Sequence, residues 1–286
     1  MKKRIYIVAG PTASGKSSLA VRLAQKLNSV VVNADSLQVY EDVPILTARP
    51  TESEMEGVPH LLYGYLDCHA HETAASWVDR AKKAVEAVDN PVFVGGTGLY
   101  LKILMEGFSP LPEISDEVRQ SVRQMSRDEL EKYVPDAPLT DPQRLMRAAE
   151  VLMQSGKPLS YFYDLPKEGG LPADYRVILL NPPRERLYLQ CNYRFEQMMG
   201  QGALKQVLDL AQKNPKMDGG VFQALGVQEL IGFLKQEMSL EEAVKKAQQR
   251  TRNYAKRQRT WFAHQIKPDI VLTDPATADV DTLLSF

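Results

Sequence analysis

Gly10, Pro11, Thr12, Ala13, Ser14, Gly15, Lys16 and Ser17 satisfy the G-x-x-x-x-G-K-[ST] spacing of a loop that grips phosphate. Such a loop turns successive backbone N–H groups inward, here those of residues 11 to 17 apart from Pro11, which has none, so that they converge on an anion at the start of the following helix. Lys16 then reaches a second phosphate, and the Ser17 hydroxyl reaches a Mg²⁺ ion. Two more stretches carry reactive residue types. Asp35, in "NADSLQVY" (33–40), places a carboxylate at the end of an apolar run. It is open to three readings: a general base, a Mg²⁺ ligand as in a kinase, or the cap of a turn. Thr97, in "GGTGLY" (95–100), can set a hydroxyl beside Asp35, and the glycines around it permit close backbone approach.

The elements that must position these residues follow from the apolar pattern. "RIYIVAG" reads as a buried strand and "GKSSLAVRLAQKL" as the helix after it, with Leu19, Leu23 and Leu27 on one face. "SVVVNAD" is a second strand ending at Asp35, "NPVFVGG" a third, and "DYRVILLNPP" and "DIVLTDP" a fourth and fifth; a helix is expected around Trp77 to Val88. Continuous Val/Ile runs that alternate with helices predict an α/β fold, a parallel sheet of the P-loop NTPase kind covered on both faces by helices. In such sheets ligands bind in the crevice at the carboxyl ends of the strands, where the loop, Asp35 and Thr97 would all lie. From Ser109 to Pro172 the rhythm breaks. Proline-rich stretches "SPLPEIS", "VPDAPLTDP" and "LPKEGGLP" bound helix-like patterns without a strand. The prediction is a helical insertion domain, 109–172, within a core domain formed by 1–108 and 173–286. Four helices follow "NPP", the last opening with the capping box Ser239-Leu-Glu-Glu242.

With 44% hydrophobic and 25% charged residues in 286, a largely disordered chain is excluded. Cys68 and Cys191 form no CxxC pair, so neither a disulfide framework nor a zinc site is read. No apolar run reaches 18 residues, so no membrane partner is expected; the two unpaired cysteines fit a reducing cytoplasm, and a monomer is expected. Of His60, His69, His71 and His264 only His69 and His71 stand close together, without an acid–His ladder that would hold a metal. The net charge of −1 speaks against a polyanionic partner, but its distribution speaks for one. Residues 245–267 hold eight Lys or Arg and no acid. Arg250, Tyr254, Arg257 and Trp261 fall at i, i+4, i+7 and i+11, a stripe of cations and aromatics suited to RNA; the other reading is a solvated charged face.

Taken in order, "GPTASGKS", "DSLQVY" with "LTARP" and "GVPH", "GGTGLY", "DPQRLMRAAEVLMQSGKPLS", "YRFEQMM" and "YAKRQRTWF" make the chain resemble the tRNA dimethylallyltransferases, also called tRNA isopentenyltransferases, over nearly its whole length. The resemblance implies transfer of a dimethylallyl group from dimethylallyl diphosphate to N6 of adenosine 37 in the anticodon stem-loop of tRNA, with Mg²⁺ as cofactor and diphosphate as product. Asp35 would accept the proton of the amine, Thr97 would orient it, and Arg194, otherwise an ordinary helix-surface arginine, would join Lys16 on the departing diphosphate. The tRNA-contacting segments of the family fall on Asp35, Ser36, Leu37, Gln38, Thr97, Arg119, Gln143, Arg144, Arg147 and the "YAKRQRT" stretch with Arg257, in a helix that also bears Arg250. Arg49, Leu61, Ser17 and Gln223 depart from the family pattern, and the insertion is shorter than usual. Three rivals remain at this level: an isopentenyltransferase acting on free adenine nucleotides, a P-loop kinase of small metabolites, and a non-catalytic RNA-binding protein.

Overall fold

The computed structural model describes residues 3–135, 141–217 and 219–285, so the centre of "VPDAPLTDP" (136–140) lies outside the described residues. Six strands form one sheet: β1 (Arg4–Ala9), β2 (Val31–Asn33), β3 (His60–Leu61), β4 (Val92–Gly95), β5 (Asp174–Leu180) and β6 (Ile270–Leu272). Their order is β3-β2-β4-β1-β5-β6 and every pair is parallel. Val8 in the central strand lies opposite Val94 on one side and Ile178 on the other. Alternate side chains enter two cores. Ile5, Ile7, Val32, Phe93, Val177 and Leu179 pack toward Trp77, Tyr100 and Phe262, while Tyr6, Val8, Val31, Val92, Val94 and Ile178 pack toward Leu19 and Leu23 of the helix Lys16–Leu27. Burial on both faces is why β1, β2, β4 and the second half of β5 read as unbroken apolar runs.

β3 is the strand that no apolar run announces. His60 and Leu61 pair with Val31 and Val32 inside a polar, proline-containing segment, and two residues are too few to show a period. β2, in turn, stops at Asn33 rather than Asp35. Asn33 explains the early stop: its side-chain oxygen accepts the Asp35 N–H at 2.9 Å, and its amide donates to the carbonyls of Asp35 and Leu62 at 3.0 Å each. Side-chain hydrogen bonds of this kind replace the sheet ladder with a turn.

Two compact units emerge, Met1–Met105 with Leu171–Phe286, and Glu106–Gly170. The second unit holds the helices Asp116–Gln124, Arg127–Tyr133, Pro142–Ser155 and Leu159–Tyr163, the first three capped by Ser115, Ser126 and Asp141. Val122, Leu130, Leu145, Ala148 and Ala149 form its own core. In the first unit the long helix Leu240–Gln265 opens with the expected box: the Glu242 N–H donates to Ser239 Oγ at 3.2 Å, and the Ser239 N–H to Glu242 Oε2 at 2.8 Å. Its buried face is Ala243, Ala247, Ala255, Gln258 and Phe262. Small residues there allow close approach of neighbouring backbones; Ala255 joins Leu187 and Cys191 of the helix Arg184–Gly200 in one cluster that also touches Ala13.

Candidate functional site

The loop between β1 and the helix Lys16–Leu27 bends through two left-handed residues, Ala13 (φ 61°) and Gly15 (φ 82°). Alanine in that region is strained, and the contact with Leu187, Cys191 and Ala255 holds it there. Inside the bend the Ser14 hydroxyl is buried with no hydrogen-bond partner among the described residues. A buried polar atom left without a partner in a native fold marks a place where a polar ligand belongs. Lys16 Nζ lies 3.4 Å from the Pro11 carbonyl to which it donates. Burial brings its pKa down to about 8, Asp35 holds it up, and Arg194 pushes it further down. Burial also lowers the Arg194 pKa, opposed by Asp35 and Glu54. These mutual effects place Lys16, Asp35 and Arg194, distant in sequence, within one electrostatic neighbourhood. Arg194 borders a cleft of about 600 Å³ with Arg49, Thr51, Ser53 and Glu54. A narrower void of about 30 Å³, lined among others by Thr12, Leu46, Ala48, Arg194 and Phe195, shares Ala48, Arg194 and Met198 with that cleft.

Asp35 and Thr97 meet through the turn that follows β2. The Leu37 N–H donates to Asp35 Oδ1 at 3.0 Å, the Ser36 N–H to Thr97 Oγ1 at 2.9 Å, and the Thr97 hydroxyl to Ser36 Oγ at 3.2 Å. Thr97 thus braces the turn bearing Asp35, a task its sequence context does not announce. Tyr63 and Tyr254 stand near the carboxylate; burial first, then the Asp35 charge, raises the pKa of both phenols. The glycines of "GGTG" have steric reasons. A Cβ on Gly96 would sit 2.2 Å from Gln258 Nε2, and one on Gly98 would sit 2.1 Å from the Trp261 ring. Gln258, which the sequence reading covers only as part of the "YAKRQRT" stretch and does not single out, accepts the Thr12 N–H at 2.8 Å and donates to the Gly96 carbonyl at 2.9 Å. The signal that could have found it is a polar residue in the same helical phase as Ala247, Ala255 and Phe262.

The basic helix divides into two groups. Arg250 donates to the buried Glu229 at 2.7 Å, Arg259 to Asn181 Oδ1 at 2.9 Å, Arg252 to Asn192, and Lys245 pairs with Glu241 at 2.5 Å. Lys246, Lys256, Arg257 and Lys267 form no ion pair among the described residues. Arg257 lies over the Tyr254 ring at 5.7 Å. With Ser36, Leu37, Gln223, Arg250 and Tyr254 it lines a groove of about 450 Å³. The stripe expected from spacing is therefore a partition: Trp261 packs on Gly98, Arg250 is tied to Glu229, and Arg257 is left to the surface. Gln38 is also engaged within the protein, donating to the carbonyls of Thr47 and Ala48 at 2.9 Å each. In the second unit Arg119, Gln143 and Arg144 are exposed, and Arg147 pairs with Glu150 at 3.1 Å. Elsewhere, Asp67, Cys68 and His69 bring their ligand atoms within 4.8 Å of one another, but Asp67 is already bound to Lys213 at 2.9 Å.

Comparison with known proteins places this geometry among relatives. The family model described as IPP transferase matches residues 38–265. The chain is 40% identical over 278 residues to the tRNA dimethylallyltransferase of Zymomonas mobilis, covering 92% of this chain and 89% of the relative. It is 42% identical to that of Erythrobacter litoralis, covering 94% and 90%. The solved tRNA delta(2)-isopentenylpyrophosphate transferase of Staphylococcus epidermidis superposes with TM-score 0.72 at 30% identity, over 99% of this chain and 96% of that one. A eukaryotic dimethylallyltransferase, solved acting on tRNA, superposes with TM-score 0.82 at 28% identity, over 99% of this chain and 76% of its own.

Proposed function

The chain belongs to the IPP transferase family, whose members are tRNA-modifying prenyltransferases, and from that premise we propose that it transfers the dimethylallyl group of dimethylallyl diphosphate to N6 of adenosine 37 in tRNA. The observation that carries the reading is the meeting of a phosphate loop holding an orphaned hydroxyl, Ser14, with an acid, Asp35, in the electrostatic reach of Lys16 and Arg194.

The exocyclic amine of adenine is a weak nucleophile because its lone pair is delocalised into the ring. As its nitrogen bonds to the allylic carbon and the C–O bond to the diphosphate breaks, the amine must lose a proton. Asp35 accepts it, its Oδ1 fixed by the Leu37 N–H so that the carboxylate is already aimed. The two electrons of the broken bond leave with the diphosphate, whose negative charge is met by Lys16, Arg194 and the loop N–H groups other than those of Thr12, which donates to Gln258, and Ser14, which donates to the Pro11 carbonyl. Desolvated cations are worth more to that anion than the same cations in water. Mg²⁺ fits the donor set: Ser17 offers a hydroxyl that makes no hydrogen bond among the described residues, a hard oxygen donor beside the diphosphate oxygens. When bound, the ion adds positive charge to the leaving group. The groove between Tyr254, Arg257 and the turn at Ser36 receives the extruded base, since a stacked adenine cannot enter a protein pocket. Arg257 and Lys256 would meet the anticodon stem-loop, and within the second unit, taken by itself, the exposed Arg119, Gln143 and Arg144 are the candidates for tRNA contact. A single chain carries every group named, so a monomer suffices, and no described helix is long and apolar enough to cross a membrane.

The test is incubation of the purified protein with labelled dimethylallyl diphosphate and total tRNA, followed by nucleoside analysis. Label in N6-dimethylallyladenosine from position 37 is expected. Label on AMP but not on tRNA would reassign the enzyme to free nucleotides, and ATP hydrolysis without labelled RNA would reassign it to the kinases.

A further inference from the structure

We propose that Gln258 is a positioning residue that sets the spacing between the phosphate loop and the Gly96–Thr97 turn, and so between the donor's leaving group and the amine that attacks it. The inference rests on the reaction proposed above. Its ground is the pair of hydrogen bonds from one amide: Oε1 accepts the Thr12 N–H at 2.8 Å, and Nε2 donates to the Gly96 carbonyl at 2.9 Å. Thr12 belongs to the loop after β1 and Gly96 to the loop after β4, and among the described residues no backbone hydrogen bond joins the two loops. Gln258 is 5% exposed, so neither bond is exchanged freely with water. The fit is tight on the far side as well, because Gly96 has no room for a Cβ against Nε2.

The chain of contacts continues to the base. Thr97, next after Gly96, takes the Ser36 N–H, and Asp35 precedes Ser36. A shift of the Gln258 amide therefore moves the phosphate loop and the Asp35 turn relative to each other while leaving each loop intact. The amide also needs both of its ends. An acceptor alone can hold Thr12 but meets the Gly96 oxygen with another oxygen, and an apolar side chain holds neither. A residue acting this way leaves ground-state binding nearly untouched and lowers the rate of the step that needs alignment, where a misplacement of about 1 Å costs on the order of 100-fold.

The experiment uses Gln258→Glu and Gln258→Met in the full chain, with single-turnover prenylation of tRNA read against pH and normalised to wild type. Gln258→Met is expected to lose about 10- to 100-fold in kcat while KM for tRNA and for the donor stays within about 3-fold. Gln258→Glu is expected to depend on pH in a way that wild type does not. When protonated, the introduced carboxyl can accept from Thr12 and donate to Gly96, and activity approaches wild type; when ionised it repels the Gly96 oxygen and activity falls. The titratable group on the turn of helix just before this amide is the Tyr254 phenol, whose pKa burial raises so that it stays protonated, and Asp35 and Lys16 act equally in wild type and are removed by the normalisation. A Gln258→Glu protein whose rate runs parallel to wild type at every pH overturns the proposal, as does a Gln258→Met protein with wild-type kcat. Should Gln258→Met fail to fold, the carboxyl variant still decides, because a merely structural loss would not be recovered by acid. Failure of wild type itself to label tRNA would sink the proposed reaction instead, a result separate from either variant outcome.

Discussion

Asp35 owes its orientation to main-chain donors rather than to a charged partner, so its carboxylate can lose its charge without loosening the turn. Asp35→Asn keeps an oxygen for the Leu37 N–H. It should lower the single-turnover rate by roughly 10²- to 10⁴-fold with little change in binding of either substrate. A near-normal rate in rapid-quench measurements would remove Asp35 from the mechanism. Lys16 supplies a second expectation at this scale. Its pKa of about 8 in the free protein, set mainly by burial, means that the cation is lost as pH rises through that value. A bound diphosphate favours the charged form and raises the pKa, so donor binding near pH 8 takes up protons and weakens toward higher pH. Calorimetry in buffers of differing ionisation enthalpy reads the uptake directly. Lys16→Arg stays charged over this range and should flatten the dependence.

Among the elements, the helix Leu240–Gln265 does two jobs with residues of one type. Arg250 neutralises Glu229, whose other oxygen is buried and unpartnered. Arg250→Ala leaves that acid alone and should cost about 1–3 kcal/mol in urea denaturation, since the surviving charge is desolvated while the arginine itself is partly exposed. Arg257→Ala removes a surface cation stacked only on Tyr254, and stability should change by no more than about 0.5 kcal/mol. Its effect belongs to RNA: the log–log salt dependence of tRNA binding should flatten by about 0.7, one neutralised phosphate on a single-stranded loop. Equal stability loss in both variants would contradict the division of the helix into a structural and an RNA-facing set.

On the scale of the whole molecule, each unit carries its own core, which predicts that damage stays local. Leu145 is 1% exposed at the centre of the cluster in Glu106–Gly170. Leu145→Ala should cost that unit about 2–5 kcal/mol. Hydrogen exchange followed by mass spectrometry should show the loss in the helices Asp116–Gln124 and Pro142–Ser155 and leave β1, β4 and β5 protected as before. Parallel loss of protection in the sheet would mean that the two units unfold as one.

The phosphate loop, the parallel sheet, the Ser239 cap of the long helix and the placement of Asp35 and Thr97 at strand ends were all legible from the chain alone. Each is a local matter: an apolar run long enough to be buried on both faces, a spacing of glycines and lysine within eight residues, a serine three places before a glutamate. β3 escaped because two residues carry no period, and Asn33 hid the true end of β2 by answering the Asp35 N–H with its side chain. Cross-element contacts were the larger gap. Gln258 lies 246 residues from Thr12, and Arg250 and Arg257 differ in nothing that composition or helical phase can show. Which polar group meets which depends on how the long helix docks across the strand ends, and docking is decided by the summed packing of Ala243, Ala247, Ala255 and Phe262, not by the polar residues that it brings together.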